Sequence, residues 1–134
     1  MSDAQLAPPT SKGMRIAGWI LSILPVPLML MGAIMSFRMS EEVLQNFDKM
    51  GWKPWTAPVI GTLDLIGLVL YLVPQTAVLG AIVITGYLGG AVATHLRAEE
   101  TGKAWVPVVF GVVIWLGLYL RDARVRSLIP IRKL

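Results

Sequence analysis

The sequence lacks cysteine altogether and holds a single histidine, His95. Without a thiol, the chain can form no disulfide, thiol relay, or cysteine-ligated zinc or iron–sulfur centre. One histidine cannot supply both axial ligands of a haem within one chain. Phosphate-binding loops, HExxH zinc sites and GxSxG nucleophile elbows are missing as well. These absences predict a chain that holds no metal and is not an enzyme on its own.

Charged residues are also scarce, at 15% of the 134 residues, whereas 55% are hydrophobic and the mean hydropathy is +0.67. A soluble domain typically has about 25% charged residues. Of the 20 formal charges (12 Lys and Arg, 8 Asp and Glu), only Asp64 lies inside the four apolar runs. Those runs are 16–37, 57–73, 77–94 and 104–120, and each reaches the ~17 residues that cross a bilayer core. We predict an all-α fold, a transmembrane four-helix bundle.

Two segments fall outside the predicted spans and have their own character. Residues 1–14 are polar and are predicted to form a disordered tail, which leaves 15–134 as a single four-span domain. Residues 41–50 follow Ser40, a good N-cap, and place apolar residues on one side, so they predict a short interfacial helix. Pro25 and Pro27 remove backbone donors near the middle of the first run, which predicts a kink there.

Basic residues set the expected orientation in the bacterial cytoplasmic membrane. Four spans and the three-residue link Pro74–Thr76 put both termini on one side, together with seven basic residues against five on the other. Because basic residues mark the cytoplasm, we expect both termini to be cytoplasmic. The net charge of +4 is therefore interpreted as an orientation signal, with the lipid bilayer as partner and no nucleic acid.

Small residues recur along the third run at helical spacing. They form two adjacent rows, Ala81, Thr85, Gly89 and Ala93 beside Gly86, Gly90 and Thr94. Rows of this kind let helix backbones approach closely in lipid, so we interpret them as a helix-packing surface. The alternative interpretation is a gap kept open for a ligand.

Asp64 is the most specific candidate for a functional residue. An ionisable side chain within a span is costly, so it is expected to be partnered or protonated and to face other helices. By helix rise, Asp64 lies at about the same depth as Tyr87 on the next span. Arg38 and His95 end their spans on the same side, which predicts an intramembrane polar cluster of these four residues. Two roles stay open for the cluster: a structural clamp between helices, or a ligand, proton or partner site.

The stretch Tyr71–Arg97 is similar to the middle of the DoxX-like family of small bacterial membrane proteins. The tail Gly117–Arg126, the start Gly18-Trp19-Ile20 and the surface-helix loop ending at Gly51 resemble that family as well. The resemblance covers nearly all of the chain and implies a four-helix integral membrane protein.

Two positions depart from the family pattern: Gln75 stands where arginine is common, and Asp64 where glutamate is common. The family takes its name from relatives linked to a membrane thiosulfate:quinone oxidoreductase. The resemblance therefore implies an accessory membrane subunit or partner of a quinone-linked redox system, with quinone as the one cofactor to consider. Two alternatives stay open: a membrane scaffold or assembly factor, and a small proton-coupled transport unit that acts as a homo-oligomer.

Overall fold

A computed structural model describes residues 9–132 of the chain, and within that range it contains helices and loops but no strand. The helices are α1 (Lys12–Ile23), α2 (Val26–Arg38), α3 (Glu41–Lys49), α4 (Thr56–Leu72), α5 (Ala77–Arg97), α6 (Trp105–Arg121) and α7 (Ala123–Leu128). Short 3-10 turns, Pro74–Thr76 and Thr101–Lys103, precede α5 and α6. The predicted all-α class is confirmed.

Three helical segments are long and apolar enough to cross a membrane: Lys12–Arg38, Pro74–Arg97 and Thr101–Arg121. Their apolar side chains are widely exposed, as in Ile20 and Val112, which suits a surface that faces lipid acyl chains. The fourth predicted span corresponds to α4, an apolar helix of 17 residues. The chain is thus a multi-pass membrane protein, and the four-helix bundle stays a prediction.

The first apolar run is interrupted at Leu24 and Pro25, so it forms the separate helices α1 and α2. Pro25 cannot donate a backbone hydrogen bond, and Pro27 lies in the first turn of α2, where a missing N–H is harmless. The interruption lies where the two prolines predict a kink. In α1, the Ser22 hydroxyl donates to the Gly18 carbonyl oxygen at 2.7 Å.

The helical part of the chain begins earlier than expected. Helix α1 starts at Lys12, because Ser11 caps it by accepting a hydrogen bond from the Met14 amide at 3.2 Å. The last three residues of the predicted tail, 12–14, are therefore helical, and its first eight residues lie outside the described range. Helix α7 was not predicted; Asp122 caps it by accepting a hydrogen bond from the Arg124 amide at 2.9 Å.

Residue contacts divide the described chain into two compact units, one of which is 26–111. In that unit, α4 packs on α5 and on α2. Glycines mark the closest approaches: a Cβ added at Gly80 would collide with the Tyr71 backbone, and one at Gly67 would press on Ile84. The sequence expectation of a hairpin of α4 and α5 follows from the three-residue turn between them, and the two helices do pack together.

The second unit combines 9–25 with 112–132. Gly18 of α1 lies against the Arg121 and Gly117 backbones of α6, leaving no room for a side chain. Arg121 places its guanidinium over the Trp19 ring, 4.1 Å from the ring centroid. Arg126 is 7% exposed and donates to the Tyr119 and Leu120 carbonyl oxygens, so it satisfies the carboxyl end of α6.

Candidate functional site

The unit 26–111 contains a cavity of about 460 Å³ between α3, α4 and α5. Its walls are mainly apolar and are contributed by three helices and two loop residues. The lining residues are Phe47 of α3, Met50 and Trp52 of the loop after it, Ile60 and Leu63 of α4, and Val83, Gly86, Tyr87, Gly90, Ala91, Thr94 and His95 of α5. This volume lies in the range of about 300–1,000 Å³ that ligand sites occupy.

One wall of the cavity depends on how α3 is held. Ser40 caps the start of α3 by accepting a hydrogen bond from the Val43 amide, and Gly51 ends it with φ of +80°. Arg97 of α5 lies directly against Gly51, where an added Cβ would collide with its guanidinium. The Arg97 Nη2 also donates to the Met50 carbonyl oxygen at 3.3 Å. A cation at a helix carboxyl end is favourable, so Arg97 anchors α3 to α5.

The opposite wall is one face of α5. Gly86 and Gly90 leave this face without side chains, since an added Cβ at either residue meets no atom within 4 Å. Tyr87 and Thr94 provide the hydroxyl groups on it. The Thr94 hydroxyl donates to the Gly90 carbonyl oxygen at 2.8 Å, whereas the Tyr87 hydroxyl has no hydrogen-bond partner among residues 9–132. Tyr87 therefore has a donor to offer to a ligand.

His95 lies where α5 reaches the loop, and its orientation is fixed by an ion pair. Its Nδ1 is 3.1 Å from Glu100 Oε2, and Lys103 Nζ is 3.2 Å from Glu100 Oε1. The hydrogen bonds from Lys103 and then from His95 hold the pKa of Glu100 below its usual value of 4.5. An ionised carboxylate only accepts hydrogen bonds, so Nδ1 carries the proton and Nε2 is left for other partners.

Asp64 lies behind the cavity wall. It is 2% exposed, and its Oδ1 has no hydrogen-bond partner in the described part of the chain. Ile60, one turn earlier on α4, and the adjacent Leu63 both line the cavity. Tyr87, on the facing helix, lies within electrostatic range of the Asp64 carboxyl group. A buried oxygen without a partner is uncommon in proteins and needs a physical explanation.

The structure thus brings together part of the polar cluster that the sequence predicts. Tyr87 and His95 line one cavity, and Asp64 lies on α4, which packs against the helix that carries Tyr87. Arg38 is the exposed last residue of α2, and no described hydrogen bond or ion pair links it to Asp64. The role of these four residues as a site stays a prediction.

The small residues of α5 fall into two groups, one buried and one with open space beside it. Ala81 is fully buried, and the Thr85 hydroxyl donates to its carbonyl oxygen at 2.6 Å. A Cβ added at Gly86, Gly89 or Gly90 would meet no atom within 4 Å, and Gly89 and Ala93 are exposed. Two of these glycines open the cavity, so the alternative of a gap for a ligand has structural support at Gly86 and Gly90.

Sequence reasoning did not select Glu100, and it gave Arg97 no role beyond that of an interface anchor. Arg97 and Glu100 are common interface residues in a loop of both signs, and no pattern marked their contacts with Met50 and His95. A signal for the α3 anchor was available at Gly51, because a glycine directly after a helix often has positive φ.

Comparison with family models finds a match to the DoxX-like family over residues 20–117. No curated protein matches the chain significantly, and neither does any solved structure.

Proposed function

The chain belongs to the DoxX-like family of membrane proteins, and on that premise we propose that it is an accessory membrane subunit of a quinone-linked redox system. Its part in that system is to hold the quinone headgroup in the cavity between α3, α4 and α5. The observation that carries the proposal is an apolar cavity with hydrogen-bonding groups of Tyr87 and His95 in its wall.

The residues of the cavity fit such a ligand. An isoprenoid quinone has a flat ring with two oxygen atoms that accept hydrogen bonds, and an apolar tail. Gly86 and Gly90 leave a side-chain-free surface against which a ring can lie. The Tyr87 hydroxyl can donate to one ring oxygen. Trp52 adds an aromatic wall, and aromatic rings favour offset stacking.

His95 can recognise both redox forms of this ligand. Because Nδ1 is held by Glu100, Nε2 accepts a hydrogen bond in the neutral ring and donates one in the protonated ring. A carbonyl oxygen of the quinone requires a hydrogen-bond donor, whereas a hydroxyl group of the reduced quinol can donate to an acceptor. Glu100 therefore acts as the positioning residue for His95.

The electrons must come from another protein. The sequence has no cysteine and one histidine, and no group of three or more metal-binding side chains occurs in the described residues. A bound quinone carries electrons and protons between membrane enzymes, and the protein supplies binding and orientation. A membrane oxidoreductase is the partner that this chemistry requires.

Adjacent glycines offer a matched test of quinone binding. Gly89 and Gly90 are both exposed on α5 with free space around them, but only Gly90 lines the cavity. Binding of a short-chain ubiquinone analogue to the chain in lipid nanodiscs is measured by quenching of Trp52 fluorescence, with Trp52→Phe as background. We expect Gly90→Leu to weaken binding at least tenfold and Gly89→Leu to leave it unchanged. Equal affinities of the two variants, or no binding to the wild type, would contradict the proposal.

A membrane scaffold is the second candidate, and one specific observation favours it. Gly89 and Ala93 are exposed on α5 and leave a shallow face on which another helix can pack. Gly89→Leu is then expected to reduce self-association, or association with a partner, as measured by sedimentation in detergent. Unchanged association in Gly89→Leu would remove the support for this candidate.

For the topology, we propose that α4 is a fourth span and that both termini are cytoplasmic in the bacterial inner membrane. The 17 residues of α4 reach about 25 Å at the helical rise, which is near the lower limit for a span. The seven basic residues beside the termini support this orientation.

A further inference from the structure

The least expected feature of the membrane-spanning region is the carboxyl group of Asp64. It is 2% exposed, and its Oδ1 has no hydrogen-bond partner among residues 9–132. The ion pairs found in this part of the chain both belong to Glu100, so no described cation neutralises Asp64. The other seven acidic residues lie outside the apolar runs.

An unpaired charge at this position is strongly unfavourable, because a low-dielectric surrounding penalises the ionised form of a carboxyl group. A neutral carboxylic acid removes that penalty. It also converts one acceptor oxygen into a donor, which can use a nearby helix carbonyl. Burial without a cation therefore favours the protonated acid.

The surroundings of Asp64 connect it to the cavity. Ile60 and Leu63, which precede it on α4 by four residues and by one, are lining residues, and so is Tyr87 on the facing helix. The electrostatic influence of Asp64 extends to Tyr87. Asp64 is thus on a helix that forms one wall of the cavity, directly after a lining residue.

We propose that Asp64 is a proton-binding site, held as a neutral carboxylic acid at neutral pH and exchanging its proton through the cavity. When the proton leaves to a water molecule in the cavity, the carboxyl group gains one negative charge beside Tyr87. The site does not depend on which ligand the cavity takes. If the quinone proposal fails, Asp64 still binds a proton.

Infrared spectroscopy tests the protonation state directly, with the full chain in lipid and no added ligand. A protonated carboxylic acid has a carbonyl stretching band that a carboxylate lacks, and comparison with Asp64→Asn assigns the band to Asp64. We expect this band in the wild type and its loss in Asp64→Asn, which preserves shape and can still hydrogen-bond. Absence of the band from the folded wild type would overturn the proposal.

Carbodiimide labelling tests access through the cavity. Dicyclohexylcarbodiimide is apolar and adds to a protonated carboxyl group, whose proton moves to the reagent as a stable acylurea forms. Mass spectrometry is expected to find this label on Asp64 at neutral pH, with slower labelling in Gly90→Leu and an unchanged rate in Gly89→Leu. Equal labelling rates in the wild type, Gly90→Leu and Gly89→Leu would refute access through the cavity. Because no quinone is used, the result is independent of the quinone-binding test.

Discussion

Arg97 reaches from the end of α5 to the carboxyl end of α3, where its Nη2 donates a hydrogen bond to the Met50 carbonyl oxygen at 3.3 Å. Gly51 makes this approach possible, because its φ of +80° and missing side chain leave space for the guanidinium. This contact ties the interfacial helix to the helix that forms the opposite wall of the cavity.

The first prediction concerns this contact. Arg97→Gln should increase hydrogen exchange of the α3 amides by roughly two- to fivefold, since an exposed charged contact is worth about 0.5–1 kcal/mol. Exchange is measured by mass spectrometry in nanodiscs. Arg38→Gln is the control, because Arg38 is an exposed arginine outside the cavity wall. Similar exchange in wild type and Arg97→Gln would show that α3 is held by its apolar side chains alone.

The second prediction compares two glycines of α5. Gly80→Ala should destabilise the unit 26–111 by about 1–3 kcal/mol, because the new methyl group collides with the Tyr71 backbone. Gly86→Ala has free space and is expected to leave stability unchanged or slightly higher. Thermal unfolding in detergent distinguishes the two. A Gly80→Ala variant as stable as Gly86→Ala would argue against the close packing of α4 on α5.

The third prediction tests whether α4 crosses the membrane. Gln45 on α3 and Gln75 in the turn before α5 are both exposed and uncharged, and α4 lies between them. With no native cysteine, Gln45→Cys and Gln75→Cys each give a single label site. An impermeant thiol reagent added to intact cells should modify the first and not the second. Modification of both would place α4 on the membrane surface.

The fourth prediction is that the contacts of Glu100 with Lys103 and His95 depend on pH. Because the pKa of Glu100 is lowered, its contacts with Lys103 and His95 are fully present above the usual glutamate value of 4.5 and are lost as pH falls through the lowered pKa. Lys103→Ala removes the hydrogen bond that lowers the Glu100 pKa most, so the contact between Glu100 and His95 should be lost at a higher pH.

His95 is the only histidine, so its two ring nitrogens give a single pair of NMR signals, and these signals report the loss of its contact with Glu100. Lys49→Ala is the matched control, because Lys49 is exposed on the interfacial helix and lines no part of the cavity. If the His95 signals changed at the same pH midpoint in the wild type and in Lys103→Ala, Lys103 would not be the main cause of the lowered Glu100 pKa.

Much of the fold could be predicted because lipid imposes simple rules on sequence. Long apolar runs give helices whose observed ends lie close to those predicted, as for 57–73 and α4. Ser40 marked the start of α3 correctly because capping is local chemistry. Helix α7 escaped prediction because its cap, Asp122, follows directly on a long apolar helix.

The cavity was harder to predict than the helices. The pattern of Gly86, Gly89 and Gly90 is the same whether a neighbouring helix or an empty space lies beside them, because glycine suits both. The contacts of Arg97 with Met50 and of His95 with Glu100 depend on side-chain directions at the ends of helices. Periodicity contains no information about those directions.

The length of α4 has a consequence for where the protein resides. If α4 crosses the membrane as proposed, its length of about 25 Å is less than the ~30 Å hydrocarbon thickness of an average bilayer, whereas α5 has 21 residues. Such hydrophobic mismatch favours local thinning of the bilayer around α4 and enrichment in thinner membrane regions. Lipid chain length would thereby act on the cavity wall that α4 forms, so membrane composition becomes a means of tuning its shape.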